Sequence, residues 1–131
     1  MAFETTVKKR IRVLVVDDSA VARTFITSGL MGKGNIQVVG FAVNGADALK
    51  KAPELKPDVV TLDVEMPDMS GIELLKKLMP VYRVPVILVS SLNLHVFEAL
   101  AAGAVDFVRK PDSRQSKEEF IETLAQKIET A

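Results

Sequence analysis

Four short apolar runs in this chain each lead into polar or charged residues, and this pattern restricts the possible folds more than any other feature. The runs cover about 11–16, 59–62, 86–89 and 104–108, and they are followed by Asp17-Asp18, Asp63, Ser90-Ser91 and Arg109-Lys110. Short apolar runs bounded by turn signals are typical of buried strands. In a parallel sheet the carboxyl ends of all strands meet at one edge, and ligands bind there. We therefore expect three carboxylates, a hydroxyl and a lysine to lie close together.

The segments between the strands carry apolar residues at helical spacing. They predict five helices. The first follows Ser19 and ends at 32–35, the second covers 46–52 and is stopped by Pro53, and the third covers 71–79. The fourth covers 94–102 and is ended by Gly103, and the last is opened by Ser116. The predicted strands are 11–16, 36–42, 58–62, 86–89 and 105–108. Right-handed connections then give an α/β, flavodoxin-like, doubly wound parallel sheet of five strands in the order 2-1-3-4-5, with five helices.

The composition indicates one folded domain, since 48% of the 131 residues are hydrophobic and 26% are charged. We expect residues 1–9 to be a disordered lead and 10–131 to be the domain. The formal net charge is zero, so we expect no nucleic acid and no membrane as a partner. There is no cysteine, which excludes thiol chemistry, and no apolar run approaches the roughly 18 residues of a membrane span. The start also lacks a secretory signal, so we expect a cytoplasmic protein.

The predicted edge site suits metal-assisted phosphoryl chemistry. Asp17, Asp18 and Asp63 would repel one another, and a divalent cation would relieve that repulsion. Hard carboxylate oxygens favour Mg²⁺, and an ammonium group favours phosphate. Lys110 precedes Pro111, which restricts its backbone and makes the bond between them a candidate cis peptide.

Asp63 is the candidate nucleophile because it ends the central strand of the predicted sheet, and carboxylates can form aspartyl-phosphates. Ser90 can donate a hydrogen bond to a phosphoryl oxygen, with Ser91 as the alternative. The chain contains no G-x-x-x-x-G-K-[ST], no G-x-G-x-x-G after the first strand and no G-x-S-x-G. The chain therefore lacks the sequence motifs of a nucleotide-binding P-loop and of a serine esterase site.

Four separated motifs follow one another along the chain: Val15-Val16-Asp17-Asp18-Ser19, Leu62-Asp63-Val64-Glu65-Met66-Pro67, Ser90-Ser91 and Phe107-Val108-Arg109-Lys110-Pro111. In this order they resemble the motifs of bacterial response-regulator receiver domains. Within that family, three segments are most similar in sequence to the receiver domains of chemotaxis protein-glutamate methylesterases. They are Thr61 to Pro67, Val89 to Leu92 and Gly103 to Val108.

The resemblance implies that Asp63 accepts a phosphoryl group from the phosphohistidine of a histidine kinase. It implies a Mg²⁺ site formed by Asp17, Asp18, Asp63 and the backbone carbonyl of Glu65. Lys110 would bind the phosphate, and Ser90 and Phe107 would be the switch residues. The response would reach a surface made by the helix over 94–102, the fifth strand and the last helix.

The resemblance also implies an output partner. The methylesterase subfamily continues into a C-terminal esterase domain, whose motifs this chain lacks, so the chain itself cannot be the esterase. We expect either a receiver from a longer methylesterase or a stand-alone response regulator. A Mg²⁺-dependent phosphatase of the haloacid-dehalogenase type is a rival, but those enzymes carry the nucleophile on their first strand and an Asp where Glu65 stands. The second rival is a flavodoxin-like module that is never phosphorylated.

Overall fold

The predicted sheet is present with all five strands parallel. The computed structural model describes residues 10–67, 69–91, 102–111 and 116–131. The strands are β1 (Ile11–Val16), β2 (Ile36–Ala42), β3 (Val59–Asp63), β4 (Val86–Ser90) and β5 (Asp106–Arg109). Their order is β2-β1-β3-β4-β5, which confirms the predicted topology. The lead expected over residues 1–9 lies outside the described residues.

The described residues contain four helices, each of which begins after a side-chain cap. These are α1 (Ala20–Met31), α2 (Gly45–Leu55), α3 (Gly71–Leu78) and α4 (Lys117–Thr130). The cap oxygens belong to Ser19, Asn44, Ser70 and Ser116, and each accepts a hydrogen bond from a backbone N–H in the first turn. Such a cap stabilises a helix by about 1 kcal/mol. The helix predicted over 94–102 lies outside the described residues as far as residue 101.

Helices cover both faces of the sheet, so the domain has two apolar cores. One core joins α1 and α4 to the sheet and includes Val13, Val15, Leu30, Phe120 and Leu124. The other joins α2 and α3 to the opposite face, where Leu14, Leu62, Ala48, Leu74 and Leu78 are buried. Strands that are buried on both faces explain the continuous apolar runs of the sequence. None of the helices in the described ranges is long and apolar enough to cross a membrane.

The prediction that Pro53 stops α2 is wrong, because the helix continues to Leu55. A proline in the last turn removes only one intrahelical hydrogen bond. The end of the helix is then completed by other donors. The N–H of Lys56 donates to the carbonyl oxygen of Ala52 over 2.9 Å, with Lys56 in the left-handed region at φ 50°. The guanidinium of Arg12 donates to the carbonyl oxygen of Leu55.

The edge strand β2 contains one extra residue relative to β1. Val13 pairs with Val38, but Leu14 pairs with Gly40, so Val39 has no counterpart in the register. This irregularity has the character of a β-bulge, which locally disrupts the ladder and increases the twist. Beyond it Phe41 is 42% exposed, and the Arg23 guanidinium lies 4.8 Å from the centre of its ring.

Candidate functional site

Two neighbouring strands bring the three predicted carboxylates together. Val16 of β1 pairs with Leu62 of β3, so the residues that follow them share one edge of the sheet. Asp17, Asp18 and Asp63 each offer a ligand oxygen, and these oxygens lie within 4.8 Å of one another. Asp17 and Asp63 are 1% and 2% exposed, whereas Asp18 is exposed. The cluster therefore combines two buried acids with one that faces solvent.

Only one of the two oxygens of the Asp17 carboxylate accepts a hydrogen bond from the described residues. Its Oδ1 accepts a hydrogen bond of 2.9 Å from the N–H of Ser19. Its Oδ2 is buried and has no hydrogen-bond partner among the described residues. Nζ of Lys110 lies 3.6 Å from Oδ2. A buried carboxylate oxygen without a hydrogen bond is costly, so this atom suits a hard cation as a ligand.

Lys110 supplies the positive charge of the site. Its Nζ lies 3.1 Å from Oδ1 of Asp63, and its backbone N–H donates to the carbonyl oxygen of Ser90 over 2.7 Å. Burial opposes the charged form, but Asp63 and Asp17 outweigh that effect and raise the pKa of Lys110 above its ordinary value. The side chain therefore carries its charge at neutral pH. The bond to Pro111 is trans, so the cis peptide considered from the sequence is wrong; trans is also the intrinsically favoured form.

Asp63 is held in an environment that disfavours its charge. Burial, followed by the neighbouring charge of Asp17, raises the pKa of Asp63 to about 7, although Lys110 and the N–H of Glu65 act in the other direction. That N–H donates to Oδ1 of Asp63 over 3.2 Å. In the absence of a cation, these surroundings therefore favour the protonated form of Asp63 more than water does.

Gly71 allows α3 to begin directly against the backbone of Asp63. A Cβ atom at Gly71 would lie 2.7 Å from the carbonyl oxygen of Asp63 and 2.9 Å from Cα of Val64. The N–H of Gly71 donates to the carbonyl oxygen of Val64 over 3.0 Å. Only glycine permits this approach without a backbone shift, so the start of α3 helps to position the loop that carries Asp63.

The carboxylate of Glu65 makes contacts that sequence reasoning missed. Its Oε2 accepts a hydrogen bond from the hydroxyl of Ser90. Its Oε1 accepts from the N–H and the hydroxyl of Ser91, over 3.0 and 2.6 Å. Burial opposes the ionised form, but these donors outweigh it and hold the pKa of Glu65 below its ordinary value. The resemblance assigned Glu65 only a backbone role, and no local pattern in the sequence indicates these contacts.

Phe107 lies on β5, one strand away from Ser90. It pairs in the register with Leu88 of β4, and Ser90 pairs with Arg109. Its side chain is partly buried and packs against the core on the α2 and α3 side of the sheet. The structure thus brings Asp17, Asp18, Asp63 and Lys110 into one cluster, joins Ser90 to it through Glu65, and places Phe107 on the adjoining strand.

Comparison with known proteins gives a consistent result for sequence and structure. The response regulator receiver domain family matches residues 13–122. The crystal structure of the response regulator domain of Thermotoga maritima CheB is 45% identical, with a TM-score of 0.86, and the match covers 94% of this chain and 96% of that one.

Curated relatives are longer than this chain. The protein-glutamate methylesterase/protein-glutamine glutaminase 2 of Syntrophomonas wolfei is 46% identical over 125 residues, which cover 94% of this chain and 37% of the relative. The corresponding protein of Halalkalibacterium halodurans is 49% identical over 130 residues, which cover 95% of this chain and 38% of the relative. The chain therefore spans little more than a third of the length of these relatives.

Proposed function

Because this chain belongs to the response regulator receiver domain family, we propose that Asp63 accepts a phosphoryl group from the phosphohistidine of a histidine kinase. The observation that carries the proposal is the placement of Asp63. It is a buried carboxylate at the end of the central strand, within 4.8 Å of two further carboxylates and 3.1 Å from the Nζ of Lys110. Positioning and charge neutralisation are most of what phosphoryl transfer requires.

The transfer exchanges one bond to phosphorus for another. A carboxylate oxygen of Asp63 forms a bond to phosphorus while the bond between phosphorus and the donor imidazole breaks. The electron pair of that bond stays on the imidazole nitrogen, which takes a proton from solvent. The ammonium group of Lys110 neutralises charge on the phosphoryl oxygens, and Ser90 donates a hydrogen bond to one of them.

The donor set fits Mg²⁺ as the cofactor. We assign Asp17, Asp18, Asp63 and the backbone carbonyl of Glu65 as its ligands. The fit rests on the oxygen-only donor set and on the buried Oδ2 of Asp17, which lacks a hydrogen-bond partner. When bound, Mg²⁺ supplies positive charge to the carboxylates and to the phosphoryl oxygens.

The phosphorylated residue then has to change the surface of the domain. A phosphoryl group adds about −1.5 to −2 of charge at neutral pH. We propose that Ser90 moves toward it and that Phe107 moves inward behind Ser90. The affected surface comprises β5, α4 and the helix predicted over 94–102.

We further propose that the receiver unit spans residues 10–131 and regulates a methylesterase domain. The support is the similarity to protein-glutamate methylesterases, of which this chain covers little more than a third. Because the kinase makes its phosphohistidine with ATP, the place of action is the cytoplasm. Linking the domain to a methylesterase domain should inhibit the esterase, and phosphorylation of Asp63 should relieve that inhibition. Unchanged esterase activity in both states would contradict this output.

Uptake of the phosphoryl group is tested with acetyl phosphate and Mg²⁺. Intact-protein mass spectrometry should detect one added phosphoryl group in the wild type and none in Asp63→Asn. A matched control is Asp58→Asn, which changes an aspartate at the opposite end of β3 and should label like the wild type. Labelling of Asp63→Asn to the wild-type level would show that Asp63 is not the acceptor.

A further inference from the structure

We infer that the carboxylate of Glu65 competes with the phosphoryl group on Asp63 for the hydroxyl of Ser90, and so holds the unphosphorylated receiver in its resting arrangement. This inference rests on the proposed function and names a regulating side chain within the same site. It assigns Glu65 a role for its carboxylate in addition to the proposed role of its backbone carbonyl.

Both oxygens of the Glu65 carboxylate are engaged in the resting structure. Oε2 accepts from the Ser90 hydroxyl, and Oε1 accepts from the N–H and the hydroxyl of Ser91. Ser90 is 2% exposed and its bond to Glu65 is partly buried, so water competes with this bond less than it would at the surface. Three donors on one carboxylate hold Glu65 against the end of β4. We call this group, formed by Glu65, Ser90 and Ser91, the carboxylate clamp.

The two proposed interactions of Ser90 exclude each other. A serine hydroxyl has one hydrogen to donate. While that hydrogen is donated to Glu65, it is not available to a phosphoryl oxygen on Asp63. Formation of the phosphorylated arrangement therefore requires that the bond from Ser90 to Glu65 be broken.

Phosphorylation itself weakens the carboxylate clamp. Glu65 follows Asp63 by two residues, and its N–H donates to Oδ1 of Asp63 over 3.2 Å. The carboxylates of Asp63 and Glu65 both act on the charge of Lys110, so a phosphoryl group on Asp63 adds negative charge near Glu65, and like charges repel. The modification thus displaces the competing acceptor and supplies a new one for Ser90. The strength of the clamp sets how completely phosphorylation shifts the equilibrium.

The competition is measured with beryllofluoride, a non-covalent mimic of a phosphoryl group, in the presence of Mg²⁺. Titration calorimetry gives its affinity for the wild type, Glu65→Ala, Ser90→Ala and the double variant. Glu65→Ala should bind beryllofluoride about tenfold more tightly than the wild type, because Ser90 no longer has to give up its hydrogen bond to Glu65. A tenfold change corresponds to roughly 1.4 kcal/mol, which is close to the value of a hydrogen bond to a charged group. In a protein that already carries Ser90→Ala, Glu65→Ala should raise the affinity for beryllofluoride by less than threefold.

Matched variants separate the clamp from simple removal of charge. Glu65→Gln keeps a weaker acceptor and should lie between the wild type and Glu65→Ala. Ser91→Ala removes one donor to Oε1 and leaves Ser90 in place, so a smaller gain of about twofold is expected. Glu54→Gln removes an acid on α2 and should leave the affinity unchanged. Because Glu65→Gln and Ser91→Ala are milder changes, they test the clamp even if Glu65→Ala folds poorly.

The outcomes distinguish this inference from the proposed function. An equal gain from Glu65→Ala with and without Ser90 would mean that Glu65 acts by charge repulsion alone, which overturns the competition. A loss of affinity in Glu65→Ala, with normal labelling of Asp63 in the wild type, would overturn the clamp and leave the proposed function standing. If the wild type neither binds beryllofluoride nor takes up a phosphoryl group, both fail.

Discussion

The raised pKa of Asp63 predicts that the metal-free domain loses stability as the pH rises toward 8. The pKa of Asp63 is about 7 in the folded protein, against an ordinary value of 3.8. The folded state therefore binds a proton more strongly than the unfolded chain between these values. Its contribution to stability is complete below the unfolded pKa and is lost as the pH rises through the folded one.

The expected loss is large relative to the stability of a domain. The difference between a pKa of about 7 and one of 3.8 corresponds to roughly 4 kcal/mol at most, since a tenfold change in an equilibrium constant is about 1.4 kcal/mol. Between pH 5 and pH 8 the loss should be roughly 3 kcal/mol. The free energy of unfolding of a domain of this size is about 5–15 kcal/mol. The change should therefore be measurable, even though other groups titrate in the same range.

The assay is urea unfolding with a chelator present, at several pH values between 5 and 8. Asp63→Asn lacks the titrating group, so the difference between the wild type and this variant isolates the contribution of Asp63. The free energy of unfolding of the variant should fall less, and the variant should be the more stable protein at pH 8. Millimolar Mg²⁺ at pH 8 should stabilise the wild type by linkage and the variant much less.

Two results would refute this reasoning. If the wild type and Asp63→Asn lose the same free energy of unfolding between pH 5 and 8, then burial and Asp17 do not raise the pKa of Asp63. If Mg²⁺ stabilises both proteins equally, then Asp63 is not one of the ligands of the cation.

Two further predictions concern positions beside the site. Thr61 is buried, and its Oγ1 has no hydrogen-bond partner among the described residues. In urea denaturation, Thr61→Val should therefore raise the free energy of unfolding by about 1 kcal/mol, whereas Thr61→Ser should lower it. Gly71→Ala should cost about 1–3 kcal/mol and slow acetyl phosphate labelling, because its Cβ meets the backbone of Asp63 at 2.7 Å. Gly32→Ala, which meets nothing within 4 Å, is the control, and equal effects of the two alanines would contradict the steric argument.

The positions of the strand ends could be predicted because they depend on local patterns. Buried parallel strands require apolar residues on both faces, so the run from Ile11 to Val16 is recognisable without tertiary information. The handedness of the connections then restricts the order of the strands. Together these two rules place Asp17, Asp63 and Ser90 on the same edge of the sheet.

The features that sequence reasoning missed depend on contacts between distant segments. Pro53 was expected to end α2, but the helix continues to Leu55, whose carbonyl oxygen accepts a hydrogen bond from Arg12, 43 residues before it. Glu65 bonds to Ser90 and Ser91, which follow it by 25 and 26 residues. Side-chain direction in a loop follows from the completed fold, so neither contact has a signature in the local sequence.

The extra residue in β2 also affects how the domain meets other molecules of its own kind. It shifts side-chain parity along the strand, so that Phe41 lies beside Arg23 on the α1 side while Ala42 enters the core under α2. An edge strand with regular, unpaired backbone groups is a template for a strand from another chain. The interrupted spacing around Val39 offers no continuous ladder to such a strand. We therefore expect the irregularity that orients Phe41 also to hinder strand addition at this border of the sheet.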